Sequence, residues 1–217
     1  VITGKAKPAL LDSYAQERRP IAVRNLTDSM KSTEFITPKS LHSLGLRNAV
    51  LRLASHVPFA KAYVNTGRFA VWPVLETSPL SQPDRDSFTP DARPGTPLLD
   101  CMLQDVSGRP IWLSDLVGDD FSLIIYGDHA GAEAALKQSP NISNTVFPLR
   151  VISIAPQAEN TSLADAQGSF TKLYDTQPGT TYLFRPDQHV LARMRHCDMD
   201  AITSAMRRAL ALEETHS

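Results

Sequence analysis

The amino-acid sequence predicts an α/β protein: a helical N-terminal segment over residues 1–72, a proline-rich linker over 73–97, and an α/β domain over 98–217. Three observations carry this expectation. Leu46, Ala49, Val50 and Leu53 recur at i, i+3, i+4 and i+7, the stripe of a helix with one buried face. Pro73, Pro79, Pro83, Pro90, Pro94 and Pro97 then interrupt any regular structure, which places a domain boundary there. Beyond them, short apolar runs of strand type alternate with helix-prone runs.

In the first part, Pro8 suits a first helical turn ahead of the Leu10–Arg19 run. Pro20, which cannot donate to the carbonyl one turn back, should kink or restart that helix. Val23, Leu26, Thr27 and Met30 continue at helical spacing, and Pro58 discourages extension of the stripe that ends at Val57. Three apolar stripes with no sheet of their own are under-partnered, so these helices should pack on something else.

In the last part, residues 98–103 read as a strand, and Ser114 is a candidate cap for a turn at Asp115-Leu116. Residues 121–126 (Phe-Ser-Leu-Ile-Ile-Tyr) form the kind of apolar run that a doubly covered central strand shows. A helix is expected over 131–138, a second core strand over 149–155 and a short helix over 168–174. Residues 180–184 and 189–195 flank the turn Arg185-Pro186-Asp187-Gln188 as a hairpin. Ile202, Ala205, Met206, Ala209 and Leu210 mark a closing amphipathic helix opened by Asp198 or Asp200. A hairpin followed by a terminal helix is the arrangement of a thioredoxin-like fold, one of several topologies compatible with the pattern.

Composition narrows the function. Charged residues make up 21%, hydrophobic residues 42%, and the net charge is −1, ordinary values for a soluble globular chain. No basic block with interleaved aromatics points to nucleic acid, and no apolar run can span a bilayer. The two cysteines, Cys101 and Cys197, make no disulfide framework, so a reducing, cytoplasmic setting is expected. The chain lacks an initiator Met and begins almost at once with a helix-like segment, as a piece of something longer would.

Two segments resemble one family. Leu10-Leu11-Asp12-Ser13-Tyr14-Ala15-Gln16-Glu17-Arg18-Arg19-Pro20-Ile21-Ala22 is similar to the LLDSYxxERRPxA stretch of flavoprotein aromatic hydroxylases of the phenol and hydroxyphenylpropionate hydroxylase type. Tyr182-Leu183-Phe184-Arg185-Pro186-Asp187-Gln188-His189-Val190-Leu191-Ala192-Arg193 resembles their YLxRPDxHVxAR hairpin. Pro94-Gly95-Thr96-Pro97, followed by residues 111–116, matches how their C-terminal domain opens. The resemblance implies the C-terminal portion of an FAD- and NAD(P)H-dependent monooxygenase acting on a small aromatic substrate. It also implies a homodimer and helices 1–72 packed on an FAD-binding domain. The GxGxxG, DG and GD motifs of that domain are absent, so no catalytic, FAD-binding or metal-binding residue is assigned here.

Other candidate sites read as structural. A working thioredoxin carries CxxC just after its first central strand, whereas this chain has Gly127-Asp128-His129-Ala130. Pro178 stands where active relatives place a cis proline, structural here in either isomer. Cys101 and Cys197 are expected to be buried and inert, with a Cys101–Cys197 bridge as the alternative. His196 and Cys197 point to opposite faces of an extended strand and would not share a metal ion. Glu17-Arg18-Arg19 is either a solvated helix face or an anchor on the FAD domain. Phe59, Tyr63, Phe69 and Trp72 either face a substrate entrance or form interdomain core. The competing function is a stand-alone, redox-inactive thioredoxin-like module that binds another protein.

Overall fold

The computed structural model describes residues 1–2, 4–65, 73–145, 147–157 and 162–212. The chain divides into two compact units, Glu17–Pro73 and the combination of Val1–Gln16 with Val74–Ser217.

The smaller unit is helical. Helix α1 (Leu10–Ile36) begins in the larger unit and runs unbroken through Pro20, so the expected restart does not occur. Pro20 and Gln16 are both exposed, so water can reach the carbonyl that lost its donor. The Arg47 guanidinium donates to the Ile36 carbonyl at 3.2 Å and closes the helix end. Ser40 starts α2 (Leu41–Ala54) with a capping box: its hydroxyl accepts from the Ser43 N–H while the Ser43 hydroxyl accepts from the Ser40 N–H. Pro58 then opens α3 (Pro58–Asn65) at the first helical position, where its missing donor is harmless. The stripe read as buried is not. Helix α2 buries no residue, and Leu46 is 64% exposed. Met30 on α1 and Phe59 on α3 are also exposed, because nothing among the described residues of the helical unit lies over them.

The larger unit is built on one mixed sheet. In chain order its elements are β1 (Met102–Gln104), β2 (Pro110–Trp112), α4 (Leu113–Leu116), β3 (Phe121–Tyr126), α5 (His129–Thr145), β4 (Leu149–Ala155), β5 (Leu163–Ala164), α6 (Ser169–Tyr174), β6 (Thr181–Phe184), β7 (Val190–Met194) and α7 (Met199–Ala209). The seven strands lie in the order β2-β1-β5-β4-β3-β6-β7. β3 and β4 are parallel, joined through α5; β6 runs antiparallel to β3, and β7 turns back antiparallel to β6.

β3 occupies the position its sequence demands. All six of its residues are buried, and the pleat sends alternate side chains to opposite faces. Phe121, Leu123 and Ile125 meet Ala132 and Ala135 of α5 and Ile202, Ala205 and Met206 of α7. Ile124 and Tyr126 meet Phe170, Tyr174, Tyr182 and Phe184 on the other face. There the Phe170 and Tyr174 rings stack with centroids 4.4 Å apart, and the Tyr182 hydroxyl donates to the Tyr174 carbonyl at 2.6 Å.

Several local expectations shift. The strand expected over 98–103 forms over Met102–Gln104, β5 was not foreseen, and Ser114 does not cap its own turn. Its hydroxyl donates instead to Asp100, at 2.8 Å. Helix α7 is capped by Asp198, whose carboxylate accepts from the Asp200 and Ala201 N–H groups. The hairpin turn closes with the Gln188 N–H on the Arg185 carbonyl at 2.9 Å and Gln188 in the left-handed region.

The proline-rich stretch is ordered coil laid along the hairpin. Leu75 and Gly95 are joined by a 2.8 Å backbone hydrogen bond, and Gly95 has φ +87°. A Cβ at 95 would stand 2.5 Å from the Leu75 carbonyl oxygen, so only glycine fits. Gly95→Ala should therefore lower stability by about 1–3 kcal/mol, against about 2–5 kcal/mol for Leu123→Ala in the core. Urea unfolding of both variants checks the ranking.

Candidate functional site

Three places in the larger unit gather polar groups, the first two of them singled out in the sequence. The first is the end of β3 and the start of α5. Gly127, with φ +62°, packs so closely on Pro178 that a Cβ would lie 3.2 Å from the proline Cα. The Asp128 carboxylate accepts from the Gly131 N–H at 2.8 Å and fills the helix N-terminus. A Cβ on Gly131 would fall 2.2 Å from that carboxylate. No peptide bond among the described residues is cis, Pro178 included. His129 reaches Glu133 at 3.3 Å, one turn on.

The two cysteines are separate free thiols. Burial pushes the Cys101 thiol up to about 12, with Asp165 and Asp100 adding to the effect. Burial also raises the Cys197 thiol, helped by Asp128 and Asp198. Cys101 precedes β1 rather than lying in a strand, and Cys197 follows β7 and is only half-buried. Among the described residues, no three His, Cys, Asp or Glu side chains converge as metal ligands.

The second place is the hairpin turn. Arg185 and His189 are buried, and the Asp187 carboxylate accepts from the Arg185 guanidinium at 2.7 Å and sits 3.4 Å from the His189 ring. Burial acts to raise the Asp187 carboxyl, but the His189 hydrogen bond and the Arg185 charge outweigh it. They hold the carboxyl well below the usual range. The turn is an ion-paired structural corner. Arg185 also reaches the Ser78 hydroxyl, tying the corner to the proline-rich stretch.

The third place was not foreseen. Arg193 grips Asp84 with two hydrogen bonds of 3.0 and 2.7 Å and also donates to the Thr89 and Asp91 carbonyls. Arg195 bonds Asp175 at 2.7 Å and the Ser87 carbonyl at 2.8 Å, and the Asp86 carboxylate accepts from its backbone N–H. The Phe88 ring receives both guanidinium groups, with centroid distances of 4.5 and 3.7 Å. The Thr89 N–H, then Arg195, hold the Asp175 carboxyl below its ordinary value. A signal was present: Asp84 and Asp86, like Arg193 and Arg195, stand two residues apart, the repeat of one face of an extended chain.

In the helical unit, Glu17 is buried while Arg18 and Arg19 are exposed, so the triplet does not behave as one solvated face. Phe59 lies exposed on α3, Tyr63 is on the same helix, and Phe69 and Trp72 lie outside the described residues.

The sequence profile of the HcaD C-terminal domain matches residues 95–209, more than half of the chain. The chain belongs to the HcaD C-terminal domain family. The 3-(3-hydroxy-phenyl)propionate/3-hydroxycinnamic acid hydroxylase of Mycobacterium sp. (strain JLS) is 30% identical over 132 residues, which cover 61% of this chain and 23% of that protein. The 6-methylpretetramide 4-monooxygenase of Streptomyces rimosus is 26% identical over 230 residues, covering 99% of this chain and 39% of the relative. The chain thus spans well under half the length of these relatives. Among solved structures, the flavin-dependent monooxygenase PieE in complex with FAD and substrate superposes with a TM-score of 0.67. It is 19% identical, with 98% of this chain and 42% of PieE covered, a likeness of fold. The resemblance carried by the Leu10–Ala22 and Tyr182–Arg193 segments is borne out by these matches.

Two outcomes follow from this chemistry. In the HcaD C-terminal domain, both thiols should be far slower than a free cysteine towards Ellman's reagent at pH 8, Cys101 reacting only on unfolding. Asp175 and Asp187 have depressed folded pKa values. Their stabilisation is therefore complete above the ordinary aspartate value of about 3.9 and lost as pH falls through the folded values. The urea midpoint should hold from pH 7 to 5 and drop below pH 4, and Asp187→Asn should flatten that drop.

Proposed function

We propose that this chain is the C-terminal portion of an FAD- and NAD(P)H-dependent monooxygenase that hydroxylates a phenolic or other small aromatic substrate. Its own contribution is scaffold and subunit contacts. The match of residues 95–209 to a domain family whose relatives are named as aromatic hydroxylases carries this reading. The exposed apolar faces of α1, α2 and α3 support it, because an FAD-binding portion supplies the surface they lack.

On this reading residues 1–72 are the helical segment that docks on the FAD and substrate domains, and Arg18 and Arg19 anchor it by charge-assisted contacts. Residues 73–97 lead into a thioredoxin-like domain over 98–217, through which the enzyme forms a homodimer in the cytoplasm. The flavin, when bound, supplies the redox chemistry: NAD(P)H reduces it and dioxygen delivers one oxygen atom to the ring. The residues described here do not fit that cofactor. Among its described residues the helical unit has no strand leading into a glycine-rich turn, and on this reading FAD is bound by a portion outside this chain.

Intact mass and the absorbance spectrum of the protein from its native source test the proposal. A species far heavier than 23.8 kDa, with flavin bands near about 375 and 450 nm, is the expected result. A colourless 23.8 kDa protein with no flavin-binding partner would overturn it in favour of a stand-alone binding module. In the intact enzyme, Leu46→Lys with Leu53→Lys should weaken flavin retention and raise dye binding to exposed apolar surface.

A further inference from the structure

β7 ends the sheet, and the outer edge of a terminal strand is where another chain can add a strand. The proline-rich stretch lies over that edge. The Gln82 N–H donates to the Leu191 carbonyl at 2.9 Å, and the Asp86 carboxylate accepts from the Arg195 N–H at 2.8 Å. Further along, the Gly95 N–H donates to the Val190 carbonyl and the Val190 N–H to the Thr96 carbonyl, at 2.7 and 2.8 Å.

The two ends of the stretch are anchored by apolar burial, through Leu75 and Leu80 on one side and Ala92 on the other. The middle is not. From Ser81 to Asp91 the only buried residue is Gln82, a polar one. Neither its Oε1 nor the Ser81 hydroxyl finds a partner among the described residues. Beside them an open cleft of about 500 Å³ separates the limbs of the stretch, lined by Glu76, Ser78, Ser81, Gln82, Asp84 and Arg93. Beyond the contact of the half-buried Phe88 ring with the apolar cluster beneath it, charged groups hold the middle in place: Asp84 on Arg193, Asp86 on the Arg195 N–H, the two guanidinium groups on the Thr89, Asp91 and Ser87 carbonyls, and Phe88 against both guanidinium groups.

We propose that residues 81–91 are an electrostatically latched cover over the β7 edge, which opens as a unit while the sheet beneath it stays folded. A segment with little apolar burial, unsatisfied buried polar groups and a void at its side belongs to the low end of the local stability range. The sheet rests on backbone ladders and two apolar clusters, from which opening of the latch removes the Phe88 contact and leaves the buried members in place.

Hydrogen exchange by mass spectrometry on the whole 217-residue chain tests this. Peptides spanning 81–91 should exchange much faster than peptides spanning β3, with almost no dependence on urea below the unfolding transition, the mark of an opening that exposes little surface. Asp84→Asn with Asp86→Asn should accelerate the 81–91 peptides by about tenfold or more and leave β3 unchanged; Asp84→Glu with Asp86→Glu should lie between. The proposal is overturned if the wild-type 81–91 and β3 peptides exchange with one rate and one urea dependence, or if the Asn pair leaves 81–91 unchanged. Should the Asn pair fail to fold, visible as fast exchange in β3, the wild-type urea series decides alone.

Discussion

Burial of β3 on both faces is the constraint from which the larger unit is built. A strand with every residue out of water needs a layer on each side and a strand on each edge. β4 and β6 supply the edges, α5 and α7 one face, and the aromatic stack of Phe170, Tyr174, Tyr182 and Phe184 the other. Chain order leaves little choice beyond this. The parallel neighbour of β3 requires a crossover, which α5 provides, while β6, once paired with β3, needs only the tight turn from Arg185 to Gln188 to add β7 beside it.

Elements whose stability is local or whose pattern is strong were legible in the sequence. The run at 121–126 and the one at 149–155 became strands with the expected ends, because apolar residues without turn formers admit few alternatives. The Asp198 cap and the stripe of α7 were legible for the same reason. β5 was not: two residues acquire strand geometry only because β4 and β1 flank them. The buried stripe assigned to α2 failed for the complementary reason. Periodicity tells which face of a helix seeks cover, not whether the cover is present in the same chain.

The polar sites divide in a similar way. The absence of a CxxC after β3 could be read directly, and so could the role of the Arg185–Gln188 turn. The grip of Arg193 and Arg195 on Asp84, Asp86 and Asp175 joins residues up to 109 positions apart, and proline-rich coil carries no periodic signal to announce it. As a result, the stretch that reads as a linker is bonded more specifically than several of the regular elements. Its charges and its glycine, not its prolines, fix its path.

The start of α5 has an evolutionary consequence. Asp128 and Gly131 are locked to each other, because the carboxylate that caps the helix occupies the space where any side chain at 131 would begin. A change at 131 alone meets that carboxylate, and a change at 128 alone strips the cap. Each single step is penalised by the other, so the two positions are expected to change as a pair.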